Sequence, residues 1–352
     1  MTVLPLHELH HTLGATFTTV CDAEVVAHYG DSAYELAALH ASVGVLDLSC
    51  RSRLCLVGSD RVKFLHGQVT NDVQRLREGE GCYAALVSAK GRMHSDLNIY
   101  RLEDELLLDF EPGFTAAVME RLERYIITDD VRVLDAAPHY GLLRVQGPRA
   151  AEAVGQLGLP WTVPVRPLEF SAHAEPTLGQ LYLMRGTDCF DMFIPNAALG
   201  AVFDKLLAAA KSLGGCAGGW EAMQAARIAA GIPRFGQDMD ETTLPPEAGL
   251  EARAISYSKG CYVGQEVIAR IRTYGQVART LRRFRLPAEL VVLPVPGDKL
   301  FADGKEVGHL TSVVSGTAIG YVRKEYQALG ATLTLRSGAG EVVVRVEALG
   351  DS

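Results

Sequence analysis

The chain has no pair of cysteines at C-x-x-C spacing, no apolar run long enough to cross a bilayer, and no basic-then-apolar leader. Each absence excludes something. The seven cysteines, Cys21, Cys50, Cys55, Cys82, Cys189, Cys216 and Cys261, are odd in number and widely spaced. That argues against a disulfide framework and a four-thiolate metal centre, and it suits a reducing cytoplasm. Without a long apolar run a membrane-spanning segment is not expected, and MTVLPLHELHH does not have the pattern of a secretion signal. No G-x-G-x-x-G, Walker loop or G-x-S-x-G occurs, so dinucleotide, P-loop and serine-hydrolase readings find no support. Positive charge is also short. The 34 Lys and Arg against 42 Asp and Glu leave a net charge of −8, which argues against a direct grip on nucleic acid.

What is present is enough chain for two or three cores: 352 residues of ordinary globular composition. Ser32-x-x-Glu35 reads as a capping box opening a helix with Leu36, Leu39 and Val43 on one face and Gly44 as its stop. Short apolar runs at Val45–Leu48 and Leu54–Val57 read as strands, and Ser59 as the cap of a helix ending at Gly67. Residues 82–110 read as a three-strand meander turning at Lys90-Gly91 and Glu103-Asp104. Val118, Met119, Leu122, Tyr125 and Ile126 form a helical stripe. A second round follows from Gly141: a strand at Leu142–Val145, a helix at Arg149–Leu157, and strands near Gln180–Met184 and Phe190–Ile194. Asn196 then caps a helix carrying Leu199, Val202, Phe203, Leu206 and Leu207, and another helix runs through Arg227. From Leu281 onward, Leu281–Leu286, Val307–Val314, Thr317–Val322, Ala331–Leu335 and Val342–Val346 alternate with glycine turns. These read as a small all-β domain. The class is α+β.

The most informative stretch is SKGCYVGQEVIAR, Ser258 to Arg270. After Gly264, the residues Val267, Ile268 and Ile271 share a helical face. Gln265 and Glu266 in the first turn and Arg270 and Arg272 in the last suit the helix dipole. Cys261 then precedes a helix N-terminus, with Lys259 close by, and both influences favour thiolate. The bland alternative is a small buried side chain, the commonest fate of a free cysteine. One thiolate cannot hold an iron–sulfur cluster by itself, but it suits a ligand in transit or redox or covalent chemistry.

In GRMHSDLNIYR, Gly91 to Arg101, the polar His94, Asp96, Asn98 and Tyr100 alternate with Met93, Ser95, Leu97 and Ile99. A strand bordering a wet cavity has this pattern, and so does a strand facing solvent. His7-Glu8-Leu9-His10-His11 matches the zinc-hydrolase pattern H-E-x-x-H, but it stands at the chain start and lacks an evident third ligand. ARTLRRFR, Ala278–Arg285, reads as the basic face of a strand.

With these residues in view, KGCYVGQE resembles the signature of the YgfZ family, folate-binding relatives of the glycine-cleavage T-protein (GcvT, an aminomethyltransferase). FLHGQVTNDV, GRMHSDLNIY, RIAAGIPRFGQDMDETTLPPEAGL and GHLTSVVSGTAIGYVR resemble further family blocks, in the family's order. The resemblance implies a three-domain ring. Residues 1–50 with 141–225 form a first α+β domain. Residues 51–140 with 226–280 form a second, carrying the cysteine motif, and both have antiparallel sheets. Residues 281–352 form a C-terminal β-barrel. It implies tetrahydrofolate, or a one-carbon-substituted form, as cofactor. It further implies iron–sulfur client or assembly proteins as partners, an indirect effect on tRNA modification, and a functional thiol at Cys261. The alternative is a folate-dependent aminomethyl or one-carbon transferase. Ser95 replaces the first of two adjacent acids found in T-proteins, and Thr187 replaces a pterin-binding glutamate, which weakens that alternative. Reduced folate asks for carboxylates at its pterin edge, aromatic walls, and basic groups at its glutamate tail. Asp96 and Glu247 answer the first demand, Tyr100 and Tyr262 the second, Arg227 and Arg270 the third. Surface or inter-domain ion pairs compete for the two arginines. Cys261 and Lys259 are the candidates for chemistry. Asn71-Asp72 reads more simply as a turn or cap.

Overall fold

The computed structural model describes residues 2–275, 277–287, 290, 292–338 and 340–350; Met1, Asp351 and Ser352, at the ends of the expected domains, lie outside them. The chain separates into two compact units, each made of several segments. The first comprises Met1–His66, Asp72–Tyr83 and Leu97–Ala226; the second comprises Gly67–Asn71, Ala84–Asp96 and Arg227–Ser352.

The first unit opens with α1 (His7–Thr12) and a hairpin of β1 (Thr16–Val20) and β2 (Ala23–His28). The hairpin turns at Cys21 and Asp22, both at positive φ. Next come α2 (Ser32–Ala41) and β3 (Gly44–Asp47). The cap of α2 is Asp31, whose carboxylate accepts the N–H groups of Ala33 and Tyr34. The expected capping box is therefore corrected. Glu35 turns inward and accepts the Gly219 N–H at 2.8 Å. Val43 and Gly44 leave the helix, Gly44 entering β3.

A six-stranded sheet organises this unit. Its order is β10-β11-β12-β9-β3-β13, where β9 is Tyr140–Gln146, β10 Phe170–Glu175, β11 Gly179–Arg185, β12 Cys189–Pro195 and β13 Cys216–Ala217. Leu143, Val145, Leu181, Leu183, Met192 and Ile194 meet Leu199, Val202, Phe203 and Leu206 of α6 (Asn196–Ser212). Leu46, Leu142, Met184 and Phe193 belong to a separate buried cluster with Tyr100 and Leu107. This is the period-2 alternation of a sheet buried on both faces. Asn196 donates to the Pro138 carbonyl and does not cap α6. Ser59 likewise bonds Asp130 and does not cap α3 (Arg61–Gln68).

A five-stranded sheet has the order β5-β6-β7-β4-β8, with β4 Ser52–Val57, β5 Gly81–Val87, β6 Met93–Arg101, β7 Glu105–Phe110 and β8 Arg132–Asp135. The expected meander is β5 to β7, with both turns in place. Strands β5 and β6 each begin in one unit and end in the other. The stripe at 118–126 becomes α4 (Thr115–Glu123), which stops before Tyr125.

Helices α5 (Ala150–Gly155) and α7 (Trp220–Ala229) stand where the sequence places helices, and in the second unit the short α8 (Glu251–Ala254) precedes the cysteine motif and α9 (Gln265–Tyr274) follows it. The chain then closes a barrel in the order β14-β17-β16-β15-β18-β19. These strands are Arg279–Arg285 (β14), Lys299–Ala302 (β15), Lys305–Val314 (β16), Thr317–Arg323 (β17), Thr332–Ser337 (β18) and Gly340–Glu347 (β19). Phe284, Leu300, Leu310, Leu335 and Val346 fill it. Pairing of β14 with β19 removes the open edges that a sheet would present. No helix among the described residues is long and apolar enough to cross a membrane.

Candidate functional site

The cysteine motif is a loop laced to another segment of its own unit. The Thr70 hydroxyl donates to the Ala254 carbonyl, and the Asn71 amide to the Arg253 carbonyl at 3.0 Å. In return Ser256 N–H reaches the Thr70 carbonyl at 3.0 Å, and Val263 N–H the Gly67 carbonyl at 3.1 Å. Between these bonds Lys259 is buried. Its ammonium donates to the carbonyls of Val69 at 2.7 Å and Asn71 at 2.8 Å. It also lies 4.9 Å from the centre of the Tyr262 ring, a cation–π contact in a partly dry setting. Burial pushes the Tyr262 hydroxyl up to about 12.

Lys259 and Tyr262 face inward, while Gly260 and Cys261 between them are exposed. The small buried side chain weighed from sequence is thus not what Cys261 is. Its thiol opens to solvent. Other thiols are shut in: burial pushes Cys50 up to about 12 and Cys189 and Cys216 up to about 11.

The loop passes into α9 through Gly264, which has φ +84. A Cβ there would also stand 2.4 Å from the Ser88 carbonyl oxygen, so glycine is required on two counts. Inside α9, Ile268 is fully buried. Gly91, in the turn from β5 to β6, approaches so closely that a Cβ would stand 3.2 Å from Val267. Arg272, in the last turn, stacks 4.0 Å from the Tyr257 ring centre. The helix is held at both ends.

The other expected site residues are placed as follows. Asp96 is half-buried on β6 with His94 and Asn98, while Ser95 on the opposite face is fully buried. Tyr100, on the same face as Asp96, is enclosed in the core of the first unit, edge-on to Phe170 and Phe193. Arg227 pairs with the buried Asp238 and donates to the Ser312 hydroxyl at 2.8 Å. Arg270 is exposed and pairs with Glu266 one turn earlier at 2.5 Å. Glu247 is buried. It accepts the Leu244 N–H at 3.2 Å and pairs with Arg279 at 3.3 Å. Lys259, Cys261 and Tyr262 are therefore assembled by one loop, while Arg227, Glu247 and Arg270 have separate partners.

Sequence reasoning missed what Gly67–Asn71 does. Its backbone is the anchor for Lys259, and its side chains tie the loop from below. The only signal was that FLHGQVTNDV stood out as a block. In the H-E-x-x-H segment, His7 pairs with Glu24 at 2.9 Å. His10 is buried between Asp47, at 2.9 Å, and the Tyr29 hydroxyl. No group of metal-binding side chains occurs among the described residues.

Comparison with known proteins agrees with this architecture. Residues 6–259 match the GCVT N-terminal domain, and residues 281–349 match the CAF17 C-terminal beta-barrel domain. A chloroplastic protein of Arabidopsis thaliana, provisionally named a transferase, is 29% identical over 351 residues, covering 97% of this chain and 79% of that one. The aminomethyltransferase of Mycobacterium avium is 28% identical over 292 residues, 80% of this chain and 77% of that one. The solved glycine cleavage system aminomethyltransferase T from Bartonella henselae has a TM-score of 0.89 at 23% identity, covering 99% of this chain and 97% of that one. At that identity the likeness is one of fold. The chain belongs to the GCVT family, in the CAF17/YgfZ-type form that joins the GCVT N-terminal domain to a CAF17 C-terminal β-barrel.

Proposed function

We propose that this protein is a reduced-folate-binding accessory factor for the assembly or maintenance of iron–sulfur proteins, with Cys261 as its working thiol. The observation that carries the reading is the presentation of Cys261. Two buried neighbours, Lys259 and Tyr262, fix a loop that leaves the Cys261 side chain exposed. A loop built only for packing has no need to hold a thiol outward. Lys259 is a positioning residue in this reading, since its ammonium is committed to two carbonyls. The thiol is a soft ligand suited to iron in transit. Any effect on tRNA modification follows from the iron–sulfur enzymes served.

For tetrahydrofolate, the residues fit in part. Asp96 keeps a partly accessible carboxylate on a polar strand face, suited to the paired N–H donors of a pterin edge. Glu247, the other expected carboxylate, is committed to Arg279 and the Leu244 N–H, and Tyr262 packs against Lys259. Tyr100, Arg227 and Arg270 have the other placements described above, so the tail falls to other basic groups. Calorimetry with tetrahydrofolate tests the binding, with Asp96→Asn expected to weaken it by about 1.5–3 kcal/mol. Complementation of a deletion strain by Cys261→Ala, read out on iron–sulfur enzyme activity, tests the thiol. Full rescue would remove Cys261 from the function.

The aminomethyltransferase reading is favoured by the identity to the Mycobacterium avium enzyme. It is opposed by Ser95, which offers no carboxylate where T-proteins have one. Formation of methylenetetrahydrofolate from an aminomethylated carrier protein would decide for it.

A further inference from the structure

The second unit carries an open recess of about 620 Å³ bordered by Arg92, Thr242, Glu247, Ala278, Arg279, Arg323 and Glu325. Arg279 in β14 and Arg323 in β17 are directly opposed cross-strand partners. Opposed residues of an antiparallel pair project from the same face, and like charges there repel. Arg279 is held rigid: its guanidinium stacks 4.2 Å from the Tyr321 ring centre, and its Nε pairs with Glu247. Arg92 donates to the Thr242 carbonyl and lies 3.9 Å from Glu247. Glu247 is thus shared by two arginines. Arg323 is exposed, and among the described residues no hydrogen bond or ion pair is made by its guanidinium, not even to Glu325 on the same wall. Three guanidinium groups face two carboxylates in a chain whose net charge is −8. A positive recess on an acidic protein, with one complete donor fork left open, is built for an anion.

We propose that this recess binds a small polyanion bearing carboxylate or phosphate groups, gripped between Arg323 and Arg279 with Arg92 at its flank. The volume suits a metabolite-sized ligand. Such an anion offsets the Arg279–Arg323 repulsion, which water and chloride offset only weakly.

The test uses the full-length protein, with pyrophosphate and glutarate as probes and potassium chloride at matched ionic strength as control. Calorimetry and thermal unfolding are read together. At least one probe binds and raises the melting temperature above the chloride control. A stronger response to pyrophosphate assigns an organic phosphate, and a stronger one to glutarate a polycarboxylate. Arg323→Ala and Arg323→Gln weaken binding about tenfold or more without lowering the melting temperature of the unliganded protein. Two results overturn the proposal: neither probe exceeds chloride, or both variants bind as the parent does. Asp96→Asn keeps the response in full, so failure of the folate reading and failure of this one are separable.

Discussion

The ammonium of Lys259 lies 2.7 Å from the carbonyl oxygen of Val69. A buried cation is tolerated only when its donors are met, and this one is met by main chain, with Asn71 as its second acceptor. The interaction decides how the motif works. Lysine fixes the path of the loop, and that path sets the cysteine outside.

Lys259→Met should therefore unfold more easily, because it leaves two sheltered carbonyls without a charged donor. The expected loss is about 2–4 kcal/mol, measured by urea denaturation. A loss below about 0.5 kcal/mol would mean that the loop keeps its path without the anchor.

Thiol labelling should be selective. At mildly alkaline pH, iodoacetamide should modify the exposed Cys261 and Cys21 well before Cys50, Cys55, Cys189 and Cys216, whose thiols burial holds in the neutral form. Peptide mass spectrometry at successive times gives the order. Early labelling of Cys189 would show a looser first unit than described.

Gly264→Ala should cost about 2 kcal/mol or more, since the new Cβ meets both an unfavourable φ and the Ser88 carbonyl. Thermal unfolding reads the loss. The same variant should tilt α9, detectable as a changed rate of alkylation at Cys261.

One histidine gives a pH signature. Burial, then Lys299 and Arg279, lower the His309 imidazole from its ordinary value of 6.5. In the unfolded chain it takes up a proton near that ordinary value, so the unfolded state binds more protons as the solution is acidified. The stability linked to His309 is complete above about pH 6.5 and is lost as pH falls below it. Comparison of the parent protein with His309→Gln at about pH 7.5 and 5 should show the parent's advantage shrinking at the lower value. A constant difference would contradict the assignment.

Local rules carried much of this fold. The meander at 82–110 was legible because glycine and acidic turns bound two short apolar runs, β5 and β7, and the alternating β6 between them. The barrel strands were legible for the same reason, except β15. Its four residues, Lys299–Ala302, have too little period to register. Strand β10, Phe170–Glu175, was missed because Ser171, Ala172 and His173 give it little apolar contrast. The hairpin at the start was hidden by its turn, since Cys21-Asp22 is not a usual pair for positive φ. Sequence placed Cys261, Gly264 and α9 correctly relative to one another because they are neighbours. It could not show that Lys259 answers to Val69, that Glu35 answers to Gly219, or that Arg227 answers to Asp238 and Ser312. Each depends on a partner that only the folded chain brings near.

The interleaving of segments has a consequence for how the protein is made. Residues 67–71 and 84–96 leave the ribosome long before 227–350, the remainder of the unit they belong to. Until then Val69 and Asn71 have no Lys259 to receive, and half of β5 and β6 has no completed home. Pairings that distant in the chain form slowly. Synthesis must therefore hold an unfinished sheet in waiting, and a chain cut after Ala226 carries the first unit whole together with two stranded segments of the second.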